Sequence, residues 1–280
     1  MYINSLLKKF KKSDLYLENF PHIIIENALD EEFYNKLAAD FPTQESFTDN
    51  PNIGQNIRLN IPYENYTGTS PAWKEFLEYH SSFEFFNSII STFNSEIQNS
   101  NNQNLLNLIS KNDLKTGFKK KDYDTKKIDI WHDISISINT KLSGWKPSVR
   151  VPHLDKPDKI YGGLFYMRNP KDKCTGGNLE LYKFINKKKY MRNDVPPRFV
   201  QKFSQVNYKE NTLVIFLNTN DSVHGVTPRT ATEYPRRFLY FHATANNIKM
   251  HDASLNQVSN IENFLVTNFN KVRDKISTFV

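Results

Sequence analysis

A chain of 280 residues that is 38% hydrophobic, with 21 Phe and 14 Tyr, has enough apolar surface for a sizeable core, which excludes a disordered chain and suits a single domain. Lys and Arg number 37 against 30 Asp and Glu, so the net charge of +7 is a mild excess spread along the chain, and nucleic acid is not the expected partner. The one cysteine, Cys174, excludes an internal disulfide and a thiolate metal cluster; with no apolar run of membrane-spanning length and no signal-peptide-like start, the expected location is cytoplasmic.

Taken in order, residues 2–12 predict a short helix with Leu6, Leu7 and Phe10 on one side. Residues 20–26 carry a triple Ile and predict a strand, with His22 as a strand-edge residue, and residues 31–39 predict a helix capped by Asp30. After a turn-rich stretch with a short strand at 57–61, Ser70-Pro71 supplies a cap and a proline at the first helical position. Helices are expected at 72–80 and 83–97, and another starts at 105–109. The densest charge run, 119–127, reads as a solvated loop.

Residues 128–140 then alternate cleanly. Ile128, Ile130, His132, Ile134, Ile136 and Ile138 share one face, and Asp129, Asp133, Ser135 and Ser137 share the other. His132 and Asp133 point oppositely and cannot chelate one ion, so His132 reads as a core or pocket-lining residue. Further on, the lysine-rich segment 183–205 reads as a lid or an insertion, and residues 260–278 as an amphipathic helix.

Chemistry concentrates in two places. In an extended Val151-Pro152-His153-Leu154-Asp155, His153 and Asp155 face one side, and His224 can complete a set of two imidazoles and one carboxylate. Such a set, covering one face of an octahedron, is the ligand set of non-haem Fe(II) oxygenases. The surroundings repeat a known order: a strand ending in Phe165-Tyr166-Met167, the pair Gly176-Gly177, a buried apolar run at 211–216, the distal His224, then Pro235-Arg236-Arg237-Phe238. With these motifs residues 128–245 resemble the 2-oxoglutarate and Fe(II)-dependent dioxygenases, in particular the prolyl 4-hydroxylase-like branch.

That resemblance implies an α+β fold with a double-stranded β-helix, a jelly-roll or cupin-like core at 128–245, supported by an N-terminal strand and helices at 1–127 and a C-terminal helix at 246–280, all in one domain. It implies Fe(II) on His153, Asp155 and His224, with 2-oxoglutarate as cosubstrate, O2 as oxidant and ascorbate as an accessory reductant. The expected outcome is hydroxylation of a second substrate with release of succinate and CO2. An arginine should neutralise the far carboxylate of 2-oxoglutarate through paired hydrogen bonds. The family pattern favours Arg236, whereas strand alternation makes Arg237, Leu239, Phe241 and Ala243 the tidier inward face, so one of the two arginines should enter the pocket and its neighbour leave it. Tyr166 stands where the family often has a carboxylate-binding tyrosine. Asn211 stands where many members have Gly, and Gly176-Gly177 suits a tight turn. Arg229 and Lys156 flank the site as surface charge. The basic 183–202 segment suggests an anionic small molecule or glycan precursor as substrate; a peptidyl proline and a non-catalytic metal- or ligand-binding barrel are the alternatives. Oligomeric state is not legible.

Overall fold

The computed structural model describes residues 3–252 apart from 51–53, 69, 101, 119–126, 145–149, 186–188, 191–192 and 247. In chain order the elements are β1 (Leu15–Tyr16), β2 (His22–Glu26), α1 (Glu31–Ala39), β3 (Arg58–Pro62), α2 (Pro71–His80), α3 (Phe83–Thr92), α4 (Asn94–Asn99), α5 (Gln103–Ile109) and β4 (Thr116–Phe118). Then come β5 (Ile130–Asn139), β6 (Arg150–His153), β7 (Lys159–Tyr166), β8 (Leu179–Phe184), β9 (Val200–Val206), β10 (Thr212–Leu217), β11 (His224–Val226) and β12 (Arg236–Ala245). One sheet runs β1-β2-β10-β7-β12-β5-β3 with β4 added on β5, and the other runs β6-β11-β8-β9. From β5 to β12 the chain passes back and forth between the two sheets, which is the double-stranded β-helix; among the described residues the α-helices and β1 to β4 all precede it.

Period-two alternation divides the side chains of the larger sheet between two cores. Ile134, Ile136 and Ile138 of β5, Leu213 and Ile215 of β10, and Leu239, Phe241 and Ala243 of β12 pack outward with Trp73, Phe76, Phe85 and Ile89 of the helices. Leu164 and Tyr166 of β7, Val214 and Phe216 of β10, and Phe238 of β12 pack inward, with Leu179 and Leu181 of the smaller sheet. The helical layer therefore caps the outer face, and the barrel interior remains for the site.

Several sequence expectations need correction. Residues 3–9 form turns rather than a helix, although Leu6 and Leu7 are buried on the domain. Asp30 stands at the N-cap of α1 but makes no side-chain cap; it pairs instead with Lys8 and Lys9 at 3.2 and 2.9 Å. The stretch 83–97 breaks at Phe93 into α3 and α4. His22 is buried, because β1 covers its strand and stacks Tyr16 on its ring at 5.3 Å. Much of the expected lid is sheet, since β9 pairs antiparallel with β8. By contrast Ser70 caps α2 by accepting from Trp73 N, and His132 lies buried against Phe86. The charge run 119–127 lies almost wholly outside the described residues, and the expected helix at 260–278 entirely so.

Asn211 has φ +51, a left-handed conformation that Asn tolerates better than most residues. Its side chain accepts from Leu29 N at 2.9 Å and donates to Leu29 O at 3.0 Å, so it ties the β2–α1 turn to the start of β10. Asn211→Ala loses two buried hydrogen bonds and strains the backbone, and about 2–4 kcal/mol of stability should go with them. Asn211→Gly keeps the φ and should lose less. Urea midpoints of the two variants test this, and equal losses would refute the backbone part.

His80 locks the start of the chain to α2. Its Nδ1 donates to Phe76 O at 2.7 Å and its Nε2 accepts from Leu6 N at 3.0 Å, so the ring is held neutral. Burial pushes its pKa down to about 3, whereas an unfolded histidine titrates near about 6.5. The unfolded chain thus binds the extra proton first. The contribution is complete above about pH 6.5 and is lost on acidification toward pH 3, at up to about 1.4 kcal/mol per pH unit. His80→Leu should be less stable at pH 7, with Leu6 N–H left unpaired, yet its stability should fall less steeply between pH 6 and 4. An unchanged slope would show that another group carries the acid sensitivity.

Candidate metal centre

β6 and β11 pair antiparallel with His153 directly opposite His224, which brings the two rings to 4.3 Å between centroids. β6 ends at His153, so Asp155 lies just past the strand rather than on it. One donor atom from each of His153, Asp155 and His224 lies within 4.8 Å of the others, and among the described residues this is the cluster suited to a metal ion. Each imidazole donates from Nδ1 to a carbonyl two residues back, Val151 O at 2.8 Å and Ser222 O at 2.9 Å. A carbonyl only accepts, so the proton sits on Nδ1 and the Nε2 lone pair is left for a ligand. Burial lowers both imidazole pKa values and keeps the rings neutral.

Burial alone would raise the pKa of Asp155, but the nearby Lys159 ammonium and the two imidazoles outweigh it and hold the carboxyl below the usual range. Lys159 Nζ lies 3.2 Å from Asp155 Oδ1, and Tyr240 OH donates to Oδ2 at 3.4 Å; Lys159 and Tyr240 also touch each other. Gly162 leaves space for the same carboxylate, because a Cβ there would stand 3.0 Å from Asp155 Oδ2 and 2.9 Å from the Phe216 ring. Neutral nitrogen donors, an ionised carboxylate and no thiolate form a set that fits Fe(II).

The triad lines a cavity of ≈ 470 Å³ whose wall also includes Arg58, Asn139, Lys159, Arg236, Phe238 and Tyr240. Arg236 is 2% exposed and turned inward. It donates through Nε to Gly177 O at 2.8 Å and through Nη2 to Tyr166 OH at 3.2 Å, with Nη1 at 3.5 Å from Asn139 Oδ1. Arg237 leaves the barrel: its Nε donates to Met167 O at 3.1 Å and its guanidinium lies over Phe41 at 4.7 Å. The tidy alternation of Leu239, Phe241 and Ala243 marks the face packed on helices, so apolar neatness pointed to the wrong side of the sheet.

At the Arg236 end of the cavity three side chains keep N–H or O–H groups that no described acceptor takes up. Asn139 Nδ2 is buried with no partner, Tyr166 OH accepts from Arg236 with its own proton unspent, and Arg236 has N–H groups left over. No carboxylate of the described residues lies within ion-pair distance of Arg236. A buried guanidinium without a counter-ion is costly, and a carboxylate of a bound molecule would relieve it. Asn139 and Lys159 escaped the sequence reading. The polar face of β5, ending in Asn139, was the available signal for the former, since it lines the barrel. For Lys159 the signal was its place four residues after Asp155.

Arg229 is fully buried, not surface charge, and donates to Thr140 O at 2.7 Å. Lys156 is exposed at the cavity mouth. Gly176 and Gly177 both have positive φ, and a Cβ on Gly176 would collide with Pro228 O, so the pair serves a tight turn.

No protein-family model matches the sequence, and comparison with curated proteins finds no relative. Among solved structures, the chain is similar to a Pseudomonas putida prolyl 4-hydroxylase at 14% identity and TM-score 0.44, covering 82% of this chain and 95% of the other. A prolyl 4-hydroxylase from Phytophthora capsici matches at 12% and 0.44, over 82% of this chain, which spans 60% of that protein's length. HygX from Streptomyces hygroscopicus, solved with nickel and 2-oxoglutarate bound, matches at 10% and 0.40, with 86% and 89% covered. Strand order gives this chain a double-stranded β-helix fold, and the fold gathers His153, Asp155 and His224 at one place.

Proposed function

We propose that the chain is an Fe(II)- and 2-oxoglutarate-dependent oxygenase that hydroxylates a second substrate and releases succinate and CO2. The observation that carries this is a three-residue metal site and a buried arginine without a counter-ion on the walls of one cavity. His153, Asp155 and His224 would hold Fe(II), which when bound supplies the oxygen-activating redox chemistry that side chains lack. Arg236, Tyr166 and Asn139 would bind and orient the far carboxylate of 2-oxoglutarate through charge-assisted hydrogen bonds. Lys159 and Tyr240 keep the Asp155 carboxylate ionised and fixed in direction. The apolar walls formed by Leu164, Leu179 and Phe238 exclude water from the reacting end.

The test is an anaerobic titration of the protein with Fe(II) and then 2-oxoglutarate, followed by admission of O2 and assay of succinate. Saturable 2-oxoglutarate binding that requires the metal, with succinate formed on oxygenation, is the expected result. Binding with no succinate for any substrate would instead favour a non-catalytic barrel, absence of 2-oxoglutarate binding would overturn the oxygenase reading, and absence of metal binding as well would remove the metal-binding alternative.

A further inference from the structure

The mouth of the metal cavity is strongly one-signed. Arg58, Arg150 and Lys156 line it, and the one acidic side chain in the wall, Asp155, is already engaged by Lys159. Arg150 pairs with Asp194 at 3.4 Å. Arg58 and Lys156 have no ion pair among the described residues; the one hydrogen bond of the Arg58 side chain there runs from Nε to Asn60 Oδ1 at 3.1 Å.

Arg58 is set in place rather than loose. It belongs to β3, a strand outside the eight of the β-helix, and the register puts Arg58 opposite Asn139, which is itself opposite Arg236. The two arginines therefore stand in one cross-strand row on the inner face. From there the Arg58 guanidinium lies over the Tyr240 ring at 4.5 Å and near the Phe238 ring at 5.3 Å. The hydroxyl of that same Tyr240 reaches the metal ligand Asp155. Stacking fixes the planar fork and reduces the rotamer entropy lost on binding, while both terminal nitrogens remain available.

We propose that the molecule oxidised at this centre is a small anion whose phosphate or carboxylate docks on Arg58, with Lys156 adding a second charge. The inference rests on the oxygenase reading above and gives it a substrate class. It also moves the basis for an anionic substrate away from the lysine-rich 183–202 segment. There Lys202 pairs with Glu180, Arg198 stacks on Phe199, and no described residue of that segment other than Asn193 lines the cavity. A planar or apolar body beyond the anion would meet Phe238 and Tyr240 on the way to the metal.

The test uses the full chain without metal, titrated calorimetrically with phenyl phosphate, benzoate and phenol, so that its outcome is independent of turnover. At least one of the two anions should bind tenfold or more tightly than phenol, and whichever binds better identifies phosphate or carboxylate as the preferred group. Arg58→Ala should remove tenfold or more of that affinity and Lys156→Ala about threefold. The same titrations in an Arg236→Lys background separate the mouth from the deeper arginine, because the Arg58 dependence should persist there. Equal affinity for phenol and both anions, or anion binding that ignores Arg58 in both backgrounds, overturns the proposal. Loss of anion selectivity alongside intact succinate formation would sink this inference alone; anion selectivity without 2-oxoglutarate binding would sink only the oxygenase reading.

Discussion

Asp155→Asn is expected to weaken metal binding by about 100-fold or more. Changes to groups that merely support a ligand already cost roughly 10- to 100-fold, and this change removes the one anionic donor of the set. The amide is nearly isosteric, so the space left by Gly162 remains filled and the fold should persist. Lys159, whose side chain is 12% exposed, would lose its carboxylate partner, and a cost of about 1–3 kcal/mol should accompany the change. Calorimetric titration with Mn(II) or anaerobic Fe(II), beside a urea denaturation curve, separates the two effects. A variant that binds metal within threefold of the parent would mean that the three side chains do not form a metal site.

The second large effect concerns the adjacent arginines. Arg236→Ala should weaken 2-oxoglutarate binding to the metal-loaded protein by about 30-fold or more, since truncating one partner of a buried, hydrogen-bonded charge pair costs about 2–5 kcal/mol. Arg236→Lys keeps the charge but loses the planar fork that reaches Gly177 O and Tyr166 OH together, and should fall between. Arg237→Ala should leave the affinity within about threefold, because that side chain lies against Phe41 on the outer face, and its loss should appear in stability instead. Equal effects of the two alanine substitutions on cosubstrate affinity would remove Arg236 from its assigned role. The lysine variant guards against a trivial result, because it leaves no unfilled cavity of alanine size.

The sequence and the structure agree most closely where one local rule decides. Alternation over 128–140 became β5, Ser70-Pro71 became the capped start of α2, and the glycine pair became a turn with positive φ at both residues. Agreement fails where a residue's state depends on what covers it. His22 reads as an edge residue until β1 is laid across it, and Arg229 as surface charge until the chain closes over it. Alternation alone pulled toward Arg237, against the family pattern that favoured Arg236, because both faces of β12 are buried, one under helices and one inside the barrel, so apolar spacing could not tell inside from outside.

By itself, then, the amino-acid sequence determined the types of group available: two imidazoles and a carboxylate at strand spacing, one arginine of an adjacent pair turned inward, and enough alternating apolar residues for two sheets. Those follow from covalent order and from the two-residue period of an extended chain. Tertiary structure alone decided that His153 pairs with His224, that Arg236 and not Arg237 enters the cavity, and that Arg58 and Asn139 share its wall. These depend on strand register between segments dozens of residues apart, which is set by the packing of both sheet faces at once and leaves no trace in any short stretch of sequence.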